Sequence, residues 1–144
     1  MSLGSEAATQ ALGARIARGL RAGDAVLLSG ELGAGKTALA RAILRALGVT
    51  EHVPSPTFTL VQSYETPGLT LRHLDLYRVE NPRELDELGI DEALDEGSIL
   101  VEWPERAPSH WPADALHVAL TIAGETSREA TVCCPPRWRD IIAT

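Results

Sequence analysis

Residues Gly30 to Thr37, Gly-Glu-Leu-Gly-Ala-Gly-Lys-Thr, fit the pattern G-x-x-x-x-G-K-[ST] of a Walker A loop. The chemistry this spacing serves is the capture of a polyphosphate. Successive backbone N–H groups can cradle anionic oxygens only where the backbone comes close, and Gly30, Gly33 and Gly35 remove the side chains that would block the approach. A helix starting near Lys36 would aim its free N–H groups and the positive end of its dipole at the anion. Lys36 would reach the β- and γ-phosphates, and Thr37 would offer its hydroxyl to Mg²⁺. The basic residues number 13, and Lys36 is the one lysine among them. A chain that otherwise uses arginine throughout places its compact ammonium where a phosphate needs one.

Such a loop also requires carboxylates opposite it, at the ends of strands. Two acids have that context: Asp75, closing Leu71-Arg-His-Leu-Asp75, and Glu102, directly after Ser98-Ile-Leu-Val101. An apolar strand ending in an acid can hold Mg²⁺ directly or through water, or orient an attacking water. The other reading of each is a solvated acid at a strand end. Thr57, in Pro54-Ser-Pro-Thr57-Phe58, is equally open. With Ser55 it could form a switch loop sensing Mg²⁺ and the γ-phosphate, or the segment could be a rigid proline turn leading into a strand.

The elements that must position these residues read as an α/β unit. Glu6 to Arg21 carries Ala8, Leu12, Ile16 and Leu20 at helical spacing. Asp24 to Ser29 is an apolar run suited to a strand covered on both faces. After the glycine loop, Lys36 to Leu47 is a second helix with Leu39, Ile43, Leu44 and Leu47 as its buried stripe. Phe58 to Tyr64 and Leu69 to Tyr77 alternate as two strands of a hairpin. Asn81-Pro82 opens a short helix ending near Gly89, and another follows from Asp91 to Gly97. Ser98 to Val101, Ala115 to Ile122 and Glu129 to Cys134 are further strands, and Trp138 to Ile142 is a terminal helical turn. Residues 1–144 suit a single domain.

At these positions the sequence resembles the bacterial TsaE (YjeE) family. The resemblance rests on the loop at 30–37, Pro-Ser-Pro-Thr-Phe-Thr-Leu-Val at 54–61, His-Leu-Asp-Leu-Tyr-Arg at 73–78 and Val-Glu-Trp-Pro-Glu at 101–105, in order from the first helix to about residue 122. It implies a P-loop NTPase-like three-layer α/β fold with a mixed central sheet. It further implies a Mg²⁺-dependent ATPase needed for threonylcarbamoyladenosine at position 37 of tRNA, acting with the TsaD–TsaB complex. Carried over by motif, the catalytic candidates are Lys36, Glu102 and Asp75. The nucleotide-contacting candidates are Glu31, Leu32, Gly33, Ala34, Gly35, Lys36, Thr37, Ala38 and Thr57, and those for the metal are Thr37, Glu102 and Asp75. Trp103 matches a family aromatic beside the site. Ala38 stands where many relatives carry a second threonine, which touches only an accessory contact.

The residues themselves support ATP by exclusion: the Asn/Thr-Lys-x-Asp motif of common GTPases needs a second lysine, which the chain lacks. No arginine stands in an obvious finger position, so turnover is expected to be slow unless a partner intervenes. Arg78 and Arg106 flank the acidic motifs and could touch phosphate, but are read first as salt-bridge formers. Rival readings are a small-molecule P-loop kinase, for which the length leaves little room for a lid, and an ATP-gated binding module with incidental hydrolysis.

A net charge of −7 argues against unaided binding to tRNA or to an anionic membrane surface. Glu80 to Glu96 holds eight acids against Arg83 alone, either a solvated helix face or a docking face for a basic partner. His73 shares a strand face with Asp75, but with His52, His110 and His117 scattered no zinc site is expected. Trp111 and Trp138 are expected in the core or at its rim. The neighbours Cys133 and Cys134 cannot staple distant segments, though a vicinal redox pair is conceivable. No run approaches the length of a membrane span, and the opening residues lack a signal-peptide pattern. A reducing cytoplasm is the expected setting.

Overall fold

The computed structural model describes residues 1–50, 53 and 60–143. Thr57 and Ser55, with the first part of the expected strand over 58–64, lie outside the described residues. In chain order the elements are β1 (Ser2–Leu3), α1 (Glu6–Gly19), β2 (Ala25–Ser29), α2 (Lys36–Ala46), β3 (Val61–Thr66), β4 (Leu69–Asp75), a 3₁₀ segment (Pro82–Leu88), α3 (Ile90–Glu96), β5 (Gly97–Glu102), a 3₁₀ turn (Pro104–Arg106), β6 (Leu116–Ile122), β7 (Arg128–Cys133), another 3₁₀ turn (Pro136–Trp138) and α4 (Arg139–Ala143). The strands form one sheet in the order β1-β7-β6-β2-β5-β4-β3. Strands β6, β2, β5 and β4 are mutually parallel, and β3, β7 and β1 add antiparallel to the two sides.

Alternation along the central strands sends side chains to two apolar layers. One contains Val26, Leu28, Leu71, Leu100, Leu116 and Val118 and is covered by α1 and α2 through Leu12, Ile16, Leu39 and Ile43. The other contains Leu27, Leu74, Ile99 and Val101 and is covered by Leu85, Ile90 and Ala93. The expected three-layer mixed α/β architecture is therefore observed. Ile16, Leu39 and Ile43 are fully buried, each worth about 1.5–3 kcal/mol relative to exposure.

Local chemistry explains most boundaries. Ser5 caps α1 by accepting from the Ala8 N–H at 3.2 Å. The turn at Pro67–Gly68 closes the β3–β4 hairpin directly, with Thr66 opposite Leu69. Asn81 caps the 3₁₀ segment by accepting from the Arg83 N–H. Where the alternation of Leu69 to Tyr77 predicts a longer strand, β4 stops at Asp75. Asp75 Oδ1 accepts from the Tyr77 N–H at 3.0 Å, and this local side-chain bond turns the chain away from the sheet.

Two features exceed the sequence-based expectation, and Trp138 takes the first of its two expected places. Met1 to Leu3, for which no element is expected, runs beside β7, with the Met1 amine donating to Glu129 and to the Ala130 carbonyl. Trp138 is 1% exposed and belongs to the α1–α2 core rather than its rim. Gly97 opens β5 opposite Thr70, and a Cβ there would stand 1.8 Å from the Thr70 carbonyl oxygen. Replacing Gly97 with Ala must push two sheet strands apart. The expected loss is about 1–3 kcal/mol of unfolding free energy in urea, against less than about 0.5 kcal/mol for Gly4→Ala, which meets nothing within 4 Å.

Candidate functional site

The candidate site forms because parallel strands bring their carboxyl ends to one edge of the sheet. Strand β2 feeds directly into the glycine loop. Its Leu28 lies beside Glu102 of β5, which in turn lies beside Asp75 of β4. Both acids point to the face covered by α2, and both are almost fully buried at 2% and 4% exposure.

The loop adopts the backbone its glycines permit. Gly30, Gly33 and Gly35 have φ of 145°, 81° and 101°, a region that side chains other than glycine rarely enter. Gly35 is the residue before the first turn of α2 and provides no side-chain cap. The first N–H groups of a helix lack intrahelical partners, so this uncapped start presents donors to an anion.

Lys36 is 5% exposed. Its Nζ donates to the Gly30 carbonyl and, at 2.9 Å, to the Glu31 carbonyl, and it stands 4.3 Å from the centre of the Trp103 ring. Burial pushes its pKa below the ordinary lysine value, opposed by the charges of Glu102, Glu105, Asp75 and Glu31. Thr37 Oγ1 donates to Glu102 Oε1 at 2.7 Å, and the other carboxylate oxygen, Oε2, lies 2.6 Å from His73 Nε2. A hydroxyl and two carboxylates side by side are an oxygen set suited to a hard divalent cation that keeps part of its water shell. Thr37, Glu102 and Asp75 are the residues that could hold Mg²⁺.

A cavity of about 510 Å³ gathers this group. The loop lines it with Leu32, Gly33, Gly35, Lys36, Thr37 and Ala38, and the sheet edge adds Asp75 and Glu102. Of the expected nucleotide-contacting residues, Ala34 is fully buried beneath the loop and Glu31 offers its carbonyl to Lys36, so neither lines the cavity.

Tyr77, Trp103 and Arg128 complete the lining. The Tyr77 and Trp103 rings meet at 5.0 Å. Trp103 adopts φ 60°, uncommon for a bulky residue, and its N–H donates to the Leu28 carbonyl at 3.2 Å. Arg128, from the start of β7, donates to the Gly33 carbonyl at 3.1 Å and to the Ser127 carbonyl at 2.8 Å. Sequence reasoning missed Arg128, because nothing in residues 124–128 signals that their turn lies against a loop some ninety positions earlier. It also assigned His73 no part in the site.

Arg106 differs from expectation in detail. Arg106 stacks near the Tyr77 and Trp103 rings, 5.9 Å from each centre, and among the described residues no carboxylate pairs with it. Arg78 lines a separate cavity with Asn81 and Glu84. The eight acids of residues 80–96 are all exposed, around the 3₁₀ segment and α3 on the opposite side of the sheet from α2. Cys133 and Cys134 are free thiols, and burial raises the Cys134 pKa, which disfavours its reactive thiolate. Among the described residues no helix is long and apolar enough to cross a membrane.

With the glycine loop between β2 and α2 and acids on the adjoining strands, the architecture is that of a P-loop NTPase-like α/β protein. The solved structure of YdiB from Bacillus subtilis has the same fold, with a TM-score of 0.81 and 30% identity over 99% of this chain and 90% of that one. The family model for the threonylcarbamoyl adenosine biosynthesis protein TsaE matches residues 3–130. Similar relatives carry the name tRNA threonylcarbamoyladenosine biosynthesis protein TsaE. The protein from Rickettsia typhi is 44% identical, over 91% of this chain and 92% of its own length. The one from Streptomyces coelicolor is 42% identical over 82% of each, and that from Bacillus subtilis is 38% identical over 85% and 77%. The chain belongs to the TsaE family, whose part is in tRNA threonylcarbamoyladenosine biosynthesis.

The lowered Lys36 pKa has a measurable consequence. The unfolded chain binds more protons than the folded one between the lowered and the ordinary lysine pKa, so stability rises with pH through that interval. As pH rises towards the ordinary lysine value, the Tm of the wild type should therefore rise relative to that of Lys36→Met, which cannot ionise. A Tm difference that is flat, or that moves the other way, would contradict the burial of a charged ammonium.

Proposed function

We propose that this chain binds and hydrolyses ATP with Mg²⁺, and that it does so in support of threonylcarbamoyladenosine formation at position 37 of tRNA, together with the TsaD–TsaB complex. The observation that carries the proposal is the bond from Thr37 to Glu102 across the uncapped start of α2, with Lys36 alongside. The triphosphate would lie over the loop amides, with Lys36 released from its loop carbonyls onto the β- and γ-oxygens. Mg²⁺, held by Thr37 and Glu102 with Asp75 close by, would supply positive charge against the same oxygens. Glu102 and Asp75 would orient the attacking water, and Lys36 with the loop amides would stabilise charge on the transferring group.

A second cavity of about 640 Å³ shares Gly35, Ala38 and Arg128 with the phosphate cavity and extends to Ser5, Thr9 and Gln10 at the start of α1. It provides room and polar groups for the nucleoside. Arg128 is the one arginine among the lining residues of the phosphate cavity, and its guanidinium is engaged with backbone carbonyls. Slow turnover by the chain alone follows, with stimulation when a partner supplies a cation. The exposed acids of residues 80–96 favour a basic protein surface as the partner face and disfavour direct contact with tRNA.

The test measures ATP turnover and co-precipitation with TsaD–TsaB for the wild type, Lys36→Ala and Glu102→Ala. Turnover by Lys36→Ala should fall by about 10²-fold or more. Free phosphate should appear in solution; phosphate on a metabolite would instead establish the kinase reading. Retention of tRNA modification by a Glu102→Ala protein with no turnover would establish the ATP-gated module. The proposal fails if neither nucleotide alters docking to TsaD–TsaB nor those proteins alter hydrolysis.

A further inference from the structure

His73 is a polar side chain in contact with the site that the proposed mechanism leaves unused, and its burial is complete. Alternation along β4 places Leu71, His73 and Asp75 on the face beneath α2, where Leu71 and Leu100 belong to the apolar core. An imidazole in that floor forgoes the packing a Leu or Val would give. Its Nδ1 is buried without a partner, a loss of about 1–3 kcal/mol for a polar atom taken out of water. Its one described bond is the 2.6 Å contact from Nε2 to Glu102 Oε2. Such a residue is poorly suited to stability alone, and what it touches is the acid at the centre of the site.

The geometry points to His73 as a positioning residue for Glu102, an inference that rests on the ATPase reading above. A glutamate side chain has three torsions, and a single bond leaves its carboxylate free to swing. Here Thr37 holds Oε1 and His73 holds Oε2, so two bonds on opposite oxygens fix both the place and the plane of the carboxylate. A proton on Nε2 fits the contact: the imidazole then donates from Nε2–H to the carboxylate oxygen. Groups that orient a ligating carboxylate from behind are commonly worth 10–100-fold in metal affinity or activity, and His73 occupies that place.

The test compares the wild type with His73→Leu, His73→Gln and His73→Asn, each confirmed as folded by circular dichroism. Glutamine carries its N–H₂ about as far from the backbone as histidine carries Nε2, whereas asparagine is one carbon shorter. His73→Leu and His73→Asn should lower kcat for ATP by about 10–100-fold with KM within about threefold, and His73→Gln should recover most of the loss. A role in packing alone would leave His73→Leu, which fills the apolar floor, near the wild type and ahead of His73→Gln. Independently of activity, ¹⁵N NMR of the nucleotide-free chain should show His73 protonated at Nε2, with its resonances moving in Glu102→Gln. Wild-type turnover in His73→Leu, a Gln variant as slow as Asn, or an Nε2 without a proton would each overturn the inference. If the wild type shows no ATP turnover, the proposed function falls by itself, and the imidazole resonances still decide whether His73 holds Glu102. Should His73→Leu not fold, the Gln and Asn pair carries the kinetic comparison.

Discussion

The structure depends most on the hydrogen bond that ties the first turn of α2 to the end of β5, from the Thr37 hydroxyl to the Glu102 carboxylate. It joins two parts of the chain that are 65 positions apart, and it holds only if the helix start and the strand end arrive at the same edge of the sheet. Parallel pairing ensures this. Strands β2, β5 and β4 run in one direction, so Leu28, Glu102 and Asp75 lie in one row, with the glycine loop rising from the first of them. An antiparallel β5 would have put Glu102 at the far end of the sheet from Thr37.

That arrangement concentrates charge in a place with little water. Lys36, Asp75 and Glu102 are all buried, and Lys36 holds its proton less readily than usual because its desolvation outweighs the attraction of the acids around it. The lysine is supported by its own loop carbonyls and by the Trp103 ring. Trp103 in turn adopts a left-handed backbone conformation immediately after Glu102, which costs about 1 kcal/mol and is held by its bond to Leu28. Strain, unpaired imidazole nitrogen and buried ammonium all fall within this one corner, while the apolar layers on the two sides of the sheet supply the stability that tolerates them.

The two sides of the sheet divide the work. The side under α1 and α2 contains the candidate site, with the second cavity reaching along α1. The side under the 3₁₀ segment and α3 carries the exposed acids, and its core is closed by Leu85, Ile90 and Ala93.

The sequence by itself determined everything that local spacing encodes. The glycine loop, the helix after it, the buried strand before it and the two acids at strand ends follow from short-range patterns, because steric freedom at glycine, helical periodicity and strand alternation act over a few residues. The hairpin at Pro67–Gly68 and the Asn81 cap were legible for the same reason. Only the tertiary structure decided the order of the strands, the pairing of β1 with β7, the arrival of Arg128 at the loop and the grip of His73 on Glu102. Those contacts join residues between 29 and 128 positions apart, and no local pattern distinguishes a histidine that faces a carboxylate across a parallel pair from one that fills a core. The register of β4 against β5, fixed by burial of apolar side chains along both strands, converts two separately readable acids into one site.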